Sequence, residues 1–238
     1  MARQNKTHDP FRWFDSSPEV IRLVVMMYVR YPLSLRNVED LLFERGIDIC
    51  HETVRLWWTR FGPMFAAEIR RKRVQNMRAH THWRWHLDEV YVKINGEMRY
   101  LWRAVDHEGE VLESFVTTTR DKAAARKFIK KMMKRHGRTR AIVTDRLRYY
   151  GAALKEIGGG DLQVTGRRLN NRVENSHQPF RRRERAMIRF RRMKTLQKFS
   201  SVHAQVHNRF NQERHLVSRE IYKQRRSAAL AAWRSVMA

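Results

Sequence analysis

The sequence predicts an α/β protein in two parts, an all-α helix-turn-helix domain followed by a mixed five-stranded sheet with flanking helices. Three observations carry that expectation. Helical segments with capping and glycine signals fill the first sixty residues, three β-branched and aromatic segments separated by hairpin turns follow, and short apolar strands then alternate with amphipathic helices. The expected boundaries are 1–62 for the helical domain, 63–80 for a basic connecting helix, 81–194 for the sheet domain and 195–238 for carboxy-terminal helices.

Ser17-Pro18-Glu19 has the form of an N-cap with proline at the first helical position, and the apolar run that follows stops at Tyr31-Pro32. Ser34 caps a second helix carrying Leu35, Val38, Leu41 and Leu42, which Gly46 ends. A third helix runs from about His51 to Phe61, before Gly62-Pro63. Helix, glycine turn, helix is the helix-turn-helix pattern, in which the second helix enters the major groove by its amino-terminal end. His51, Glu52, Thr53 and Arg55 are then the expected base readers, with Val54, Trp57 and Trp58 facing the core; a plain helical bundle is the alternative.

Strands are expected over 82–94, 98–105 and 111–118, joined at Asn95-Gly96 and His107-Glu108-Gly109. Asp121 caps a helix with Ala124, Phe128, Met132 and Met133 on one stripe and lysines on the other. Ala141-Ile142-Val143 reads as a strand buried on both faces, Tyr149 to Ile157 as a helix, and Leu162 to Thr165 as a short strand. Three antiparallel strands, helix, strand, helix, strand, helix is the element order of the RNase H-like fold. The stripe Leu196, Phe199, Val202, Val206 and Phe210, and a last helix near Ser218 to Val236, serve as core or as dimer contact.

Charge narrows the function classes. Fifty Lys and Arg against 24 Asp and Glu give a formal net charge of +26, which directs the chain to polyanions. The longest uninterrupted apolar stretch, Leu23 to Val29, is far too short to span a membrane, and Met1-Ala2-Arg3-Gln4-Asn5 lacks the apolar core of a signal peptide. A single cysteine, Cys50, excludes an intrachain disulfide and suits a reducing cytoplasm. No glycine-rich phosphate loop is present, so ATP is not implied. His203 and His207 have zinc spacing but no third ligand, which makes them an ordinary helix face, and His80, His82 and His86 read as surface or phosphate contacts.

Three carboxylates stand out against this charge. Asp88 shares strand parity with Val90, Val92 and Ile94, so it must be buried, paired or metal-bound, whereas Glu89 falls on the other parity as a cross-strand partner for a basic residue. Asp145 ends an apolar strand, where open α/β sheets place ligands, although an N-cap gives the same pattern. Glu174 stands in Asn171-Arg172-Val173-Glu174, which has the spacing of a capping box. Against that, Glu174, His177 and Arg181 fall on one helical face and join a ligand type to two phosphate-contact types. Arg181, Arg182, Arg183 and Arg185 open a basic tract that continues to Arg189, Arg191 and Arg192, and Pro179 is expected to kink this helix. Clustered carboxylates in so basic a chain point to a divalent cation working on a nucleic-acid backbone.

These stretches, taken in order, resemble the bacterial DDE transposases of the insertion-sequence-six family. The likeness rests on Tyr31-Pro32-Leu33-Ser34-Leu35-Arg36, Trp85-His86-Leu87-Asp88-Glu89-Val90-Tyr91-Val92-Lys93, Tyr100 to Asp106, Thr144-Asp145-Arg146 with Tyr150-Gly151-Ala152-Ala153, and Leu169 to His177. It covers about Phe11 to Arg214 and departs from the family in a shorter interval between Asp145 and Glu174 and in Arg146, where lysine is frequent.

The resemblance implies that Asp88, Asp145 and Glu174 are the catalytic triad, holding two Mg²⁺ or Mn²⁺ ions, and that Arg181 is the basic residue seven positions after the glutamate. It implies cleavage at terminal inverted repeats of an insertion sequence, attack of the freed 3′-OH on target DNA, and a homodimer or higher synaptic oligomer on double-stranded DNA. The setting it implies is bacterial, cytoplasmic and nucleoid-associated, without membrane or ATP. The alternative is a non-catalytic DNA-binding regulator or a decayed transposase that keeps the helix-turn-helix.

Overall fold

Local capping chemistry sets the first two helices. The computed structural model describes residues 9–78, 84–166, 169–187, 190–211 and 216–237. Helix α1 (Pro18–Arg30) begins as Ser17 accepts the Val20 N–H, with proline where a missing N–H removes no bond. Helix α2 (Leu35–Phe43) is closed by a reciprocal capping box between Ser34 and Asn37. Gly46, at φ 72°, turns the chain into α3.

Helix α3 (His51–Arg78) does not stop at Phe61; it continues for 28 residues with Pro63 inside it. An interior proline costs roughly 3 kcal/mol. Burial of Phe61, Phe65, Ala66 and Ile69 along the same helix offsets this and carries α3 past the expected break at 62/63. Gly62 serves packing instead: a Cβ there would lie 3.4 Å from Val202 Cγ1, so the glycine admits α7 (Met193–Phe210) close to α3.

The sheet is β1 (Arg84–Ile94), β2 (Glu97–Val105), β3 (Val111–Thr117), β4 (Ala141–Thr144) and β5 (Gln163–Thr165), in the order β3-β2-β1-β4-β5. The first three strands pair antiparallel, while β4 runs parallel to β1 and β5 parallel to β4. This is the expected RNase H-like arrangement. Asn95 and Gly96, at φ 51° and 86°, make the tight β1–β2 turn.

Both faces of β1 are covered. Trp85 and Leu87 pack with α4 (Lys122–His136) and α5 (Arg148–Glu156), and Asp121 caps α4 by accepting the Ala124 N–H. Val92 and Ile94, on the opposite parity, pack with residues of α6 (Asn171–Ala186) and α7. The same apolar cluster includes Val24 and Val25 of α1, Phe61 of α3 and Trp233 of α8 (Arg219–Arg234), so the amino-terminal helices and the sheet share one core. Helix α6 likewise runs through Pro179 without interruption. Among the described residues no helix is long and apolar enough to cross a membrane.

Candidate active site

Parallel pairing of β4 beside β1, with His86 opposite Val143, brings the two strand ends that carry Asp88 and Asp145 together. Carboxylate oxygens of Asp88, Glu89 and Asp145 all lie within 4.8 Å of one another. Burial, followed by repulsion from Glu89 and then Asp145 and Glu174, pushes Asp88 up to about 7. Burial also raises Asp145, with Glu89 repelling it and Arg120 opposing the shift. The Glu89 backbone N–H opposes the rise of Asp88, and the basic side chain facing Asp88 is His177, whose Nδ1 is 3.8 Å from Oδ2 and beyond hydrogen-bond reach. Among the described residues no lysine or arginine pairs with Asp88 or Asp145. Hard oxygen donors converging without a protein cation fit a divalent metal ion.

Neither bland alternative for the other two carboxylates is what the chain adopts. Helix α5 is capped at Leu147, and Asp145 Oδ1 accepts the Leu147 N–H at 3.2 Å, which holds the loop rather than a helix end. Helix α6 has Asn170, not Asn171, at its N-cap, with no side-chain cap bond. Asn170 instead donates through Nδ2 to the Leu87 carbonyl at 2.9 Å, which ties the start of α6 to β1 one residue before Asp88. Glu174 is therefore free of the capping box. It lies outside the 4.8 Å group but close enough to repel Asp88.

Glu89 departs from its expected role. Its cross-strand neighbour is Trp102, and its side chain is 1% exposed against 19% for Asp88. Its oxygens accept the Tyr149 and Tyr150 hydroxyls at 2.6 and 2.7 Å, and Arg120 Nε lies 2.5 Å from Oε1. Both oxygens already accept hydrogen bonds, so Glu89 borders the metal-type site as a carboxylate held by protein partners. Trp85 and Leu87, on the parity of Glu89, already signal that this face is buried too; the parity of residues 90–94 alone conceals it.

The basic residues divide. Burial, with Arg103 and Arg181 nearby, drives His177 down to about 3, so its imidazole is neutral and offers hydrogen bonding rather than charge to a phosphate. Arg181 bonds Glu184 and the Tyr91 carbonyl. Arg182 and Arg185 are exposed, but Arg183 is 1% exposed. Arg183 donates to the Leu33 carbonyl at 2.9 Å and lies over the Tyr28 and Phe199 rings, so it pins α6 to the amino-terminal helices instead of facing DNA. His203 and His207 are stacked on one face of α7, with ring centroids 5.7 Å apart. His80, His82 and Arg189 lie outside the described residues.

On the first turns of α3, His51 Nδ1 is 2.9 Å from Glu39 and Arg55 pairs with Glu52 at 3.0 Å, while Cys50 Sγ and Thr53 Oγ1 are 3.3 Å apart. Glu52 and Arg55 are exposed, with His51 and Thr53 half-buried. The pattern of the sequence singled out neither Arg120, Tyr149 and Tyr150 around Glu89 nor the buried Arg103, because each acts through tertiary contacts.

A family model described as a DDE domain matches residues 82–213. The transposase for insertion sequence-like element IS431mec of Staphylococcus aureus is 31% identical over 172 residues, covering 70% of this chain and 75% of that protein. The transposase for insertion sequence element IS257 in transposon Tn4003, also from Staphylococcus aureus, matches with the same identity and coverage. A chain from the cryo-EM structure of the simian T-cell lymphotropic virus intasome in complex with PP2A regulatory subunit B56 gamma aligns with a TM-score of 0.37 and 13% identity, over 54% of this chain and 48% of that one. The extent of the family match, and the identity shared along most of both chains, mean that this protein belongs to the DDE transposases of the insertion-sequence-six family.

Proposed function

We propose that the protein binds the terminal inverted repeats of an insertion sequence, cuts a DNA strand there and joins the resulting 3′-OH to target DNA. The observation that carries this reading is the convergence of Asp88 and Asp145 with no lysine or arginine paired to either among the described residues, under the repulsion that Glu174 adds. Asp88, Asp145 and Glu174 would hold the metal, two ions of Mg²⁺ or Mn²⁺. When bound, such ions polarise phosphoryl oxygens and lower the pKa of a water nucleophile. The chain's own part is to fix the carboxylates on β1, the β4 end and α6, to leave Asp88 and Asp145 without a direct lysine or arginine partner, and to orient the DNA.

Arg181, Arg182 and Arg185 lie along α6 for contact with phosphates, and His177 for a neutral hydrogen bond. His51, Glu52, Thr53 and Arg55 at the start of α3 would read the repeat. Phosphate contacts position a duplex, and base contacts select it. Joining two ends in concert calls for a dimer or higher synaptic oligomer, and the setting is the bacterial cytoplasm and nucleoid, without ATP.

The test uses a supercoiled plasmid carrying the gene with its native flanking DNA. Asp88→Asn, Asp145→Asn and Glu174→Gln should each cut Mn²⁺-dependent nicking and strand transfer at least a thousandfold, about 4 kcal/mol of barrier, with duplex binding nearly intact. Nicking retained in Asp88→Asn at saturating metal would overturn the site. A wild-type protein that binds the flanking repeats but never cuts them would be the DNA-binding regulator instead.

A further inference from the structure

The loop between β3 and α4 carries a guanidinium that the carboxylate site does not explain. Arg120 Nε lies 2.5 Å from Glu89 Oε1 and donates to the Tyr149 hydroxyl at 2.9 Å, while Nη1 donates to the Tyr91 hydroxyl at 2.5 Å. Its guanidinium carbon is 5.5 Å from the ring centroids of both Tyr91 and Tyr149. Among the described residues Nη2 has no hydrogen-bond partner, and the side chain is 27% exposed.

An arginine that served only to neutralise Glu89 would need one contact. Here a carboxylate, two hydroxyls and two rings, from β1 and α5, fix both the position and the plane of the group and leave one edge unused. The guanidinium is held next to the carboxylates: Glu89, its partner, has an oxygen within 4.8 Å of Asp88 and Asp145, and the charge of Arg120 acts on Asp145. A planar fork held in this way matches the oxygens of a phosphate, and its rigidity means little is lost on binding. Arg181 approaches the same stretch of β1 from the other side, through the Tyr91 carbonyl, but its Nη1 is committed to Glu184.

We propose that Arg120 is a phosphate-contacting residue of the reaction, donating through Nη2 to a non-bridging oxygen of the phosphodiester being cut or joined, with Glu89, Tyr91 and Tyr149 as its positioning residues. The inference rests on the carboxylates being the reaction site. In each step one phosphorus–oxygen bond forms to the nucleophile, which gives up its proton to solvent, and one breaks to the leaving oxygen. Negative charge on the non-bridging oxygens is greatest between those events, which is where a fixed donor is most effective. It also accounts for a buried carboxylate beside two others: Glu89 is retained to hold the guanidinium rather than to bind metal.

The experiment is a double-mutant cycle on the flanked plasmid in Mn²⁺, measured as single-turnover nicking, with Arg120→Gln, Glu89→Gln, the pair together, and Asp88→Asn as the control. Arg120→Gln should slow nicking at least about a hundredfold while preserving the Mn²⁺-induced rise in melting temperature. The double variant, which buries no unpaired charge, should remain as slow as Arg120→Gln. Glu89→Gln, which frees the guanidinium from its place, should itself be slow; recovery of the double variant to the wild-type rate would show that Arg120 only balanced Glu89, and a wild-type rate in Arg120→Gln would do the same. Full nicking by Asp88→Asn would instead remove the carboxylate site itself, a failure separate from that of Arg120.

Discussion

Asp88 and Glu89 are consecutive in β1 and point to opposite faces of one sheet, yet their surroundings differ in kind. Glu89 meets two hydroxyls and a guanidinium, a complete set of partners. Asp88 meets other carboxylates and a neutral imidazole at 3.8 Å. Its face also buries Arg103, directly opposite Asp88 in the β1–β2 register, with no hydrogen-bond partner for any guanidinium nitrogen among the described residues. A satisfied buried charge is structure, whereas an unsatisfied one is a cost that the fold tolerates where a ligand will supply the missing partner.

The sharpest way to break this comparison is to remove each carboxylate and measure stability without metal. Glu89→Ala strands Arg120 and two tyrosine hydroxyls, so it should destabilise by about 3–5 kcal/mol, the usual result of deleting one partner of a buried pair. Asp88→Ala breaks no ion pair with a lysine or arginine, removes carboxylate repulsion at the cost of one backbone contact, and should be neutral or stabilising. Equal losses in chemical denaturation would mean that the two faces do not differ as described.

The pH dependence of Asp88→Asn comes next in size. In the metal-free fold Asp88 is held at about 7 against an ordinary 3.8, so between those values the unfolded chain ionises and the folded one does not. Stability from this group is therefore lost as pH rises through that window, by about 1.4 kcal/mol per unit of displacement. Asp88→Asn should melt like the wild type near pH 4 and higher than it at pH 8, with saturating Mg²⁺ narrowing the gap. The buried imidazoles act with the opposite sign: His177 and His207, held at about 3 and 4, cost stability as pH falls below their unfolded value near 6.5. That acid limb should be the same in both proteins.

Arg103 tests the same face from its cationic side. Arg103→Met keeps most of the apolar stem over Phe180 and removes a fully buried, unpartnered charge. It should stabilise the protein by about 1–4 kcal/mol, as replacement of buried charges by apolar residues commonly does. A loss of stability would reveal a partner for the guanidinium and reduce the contrast between the faces.

What the sequence makes legible follows from the range of the interactions involved. Caps at Ser17, Ser34 and Asp121, the Asn95-Gly96 turn and the strand alternation are local, and they yield the element order and the sheet. The passage of α3 through Pro63 is not legible, because packing against α7 decides it. Arg183 in a run of arginines looks like its neighbours, and only the Leu33 carbonyl and two rings distinguish it. The carboxylates were nameable, but the roles of Asp88 and Glu89 depended on counting both parities of β1. Arg120 had no local signal at all, since its partners are 29 residues away on either side.

The smallest expected effect concerns Glu174 and decides how it belongs to the unsatisfied face. A capping-box glutamate would hold an orphan N–H at the helix start, and replacing it would cost about 1 kcal/mol. Helix α6 instead starts at Asn170, whose side chain is bound to Leu87, and Glu174 is exposed in the first turn, where its charge meets the positive helix end and repels Asp88. Those two contributions oppose each other, since a carboxylate in the first turn stabilises a helix by a few tenths of a kcal/mol and repulsion takes a similar amount away. Glu174→Gln should therefore leave metal-free stability within about 0.5 kcal/mol of the wild type. Its Mn²⁺-induced rise in melting temperature should nevertheless be smaller, because a ligand for the ion is gone while its preference for the folded state is what raises the melting point. A drop near 1 kcal/mol with an undiminished metal response would put Glu174 back in the capping role and leave Asp88 and Asp145 without their third carboxylate.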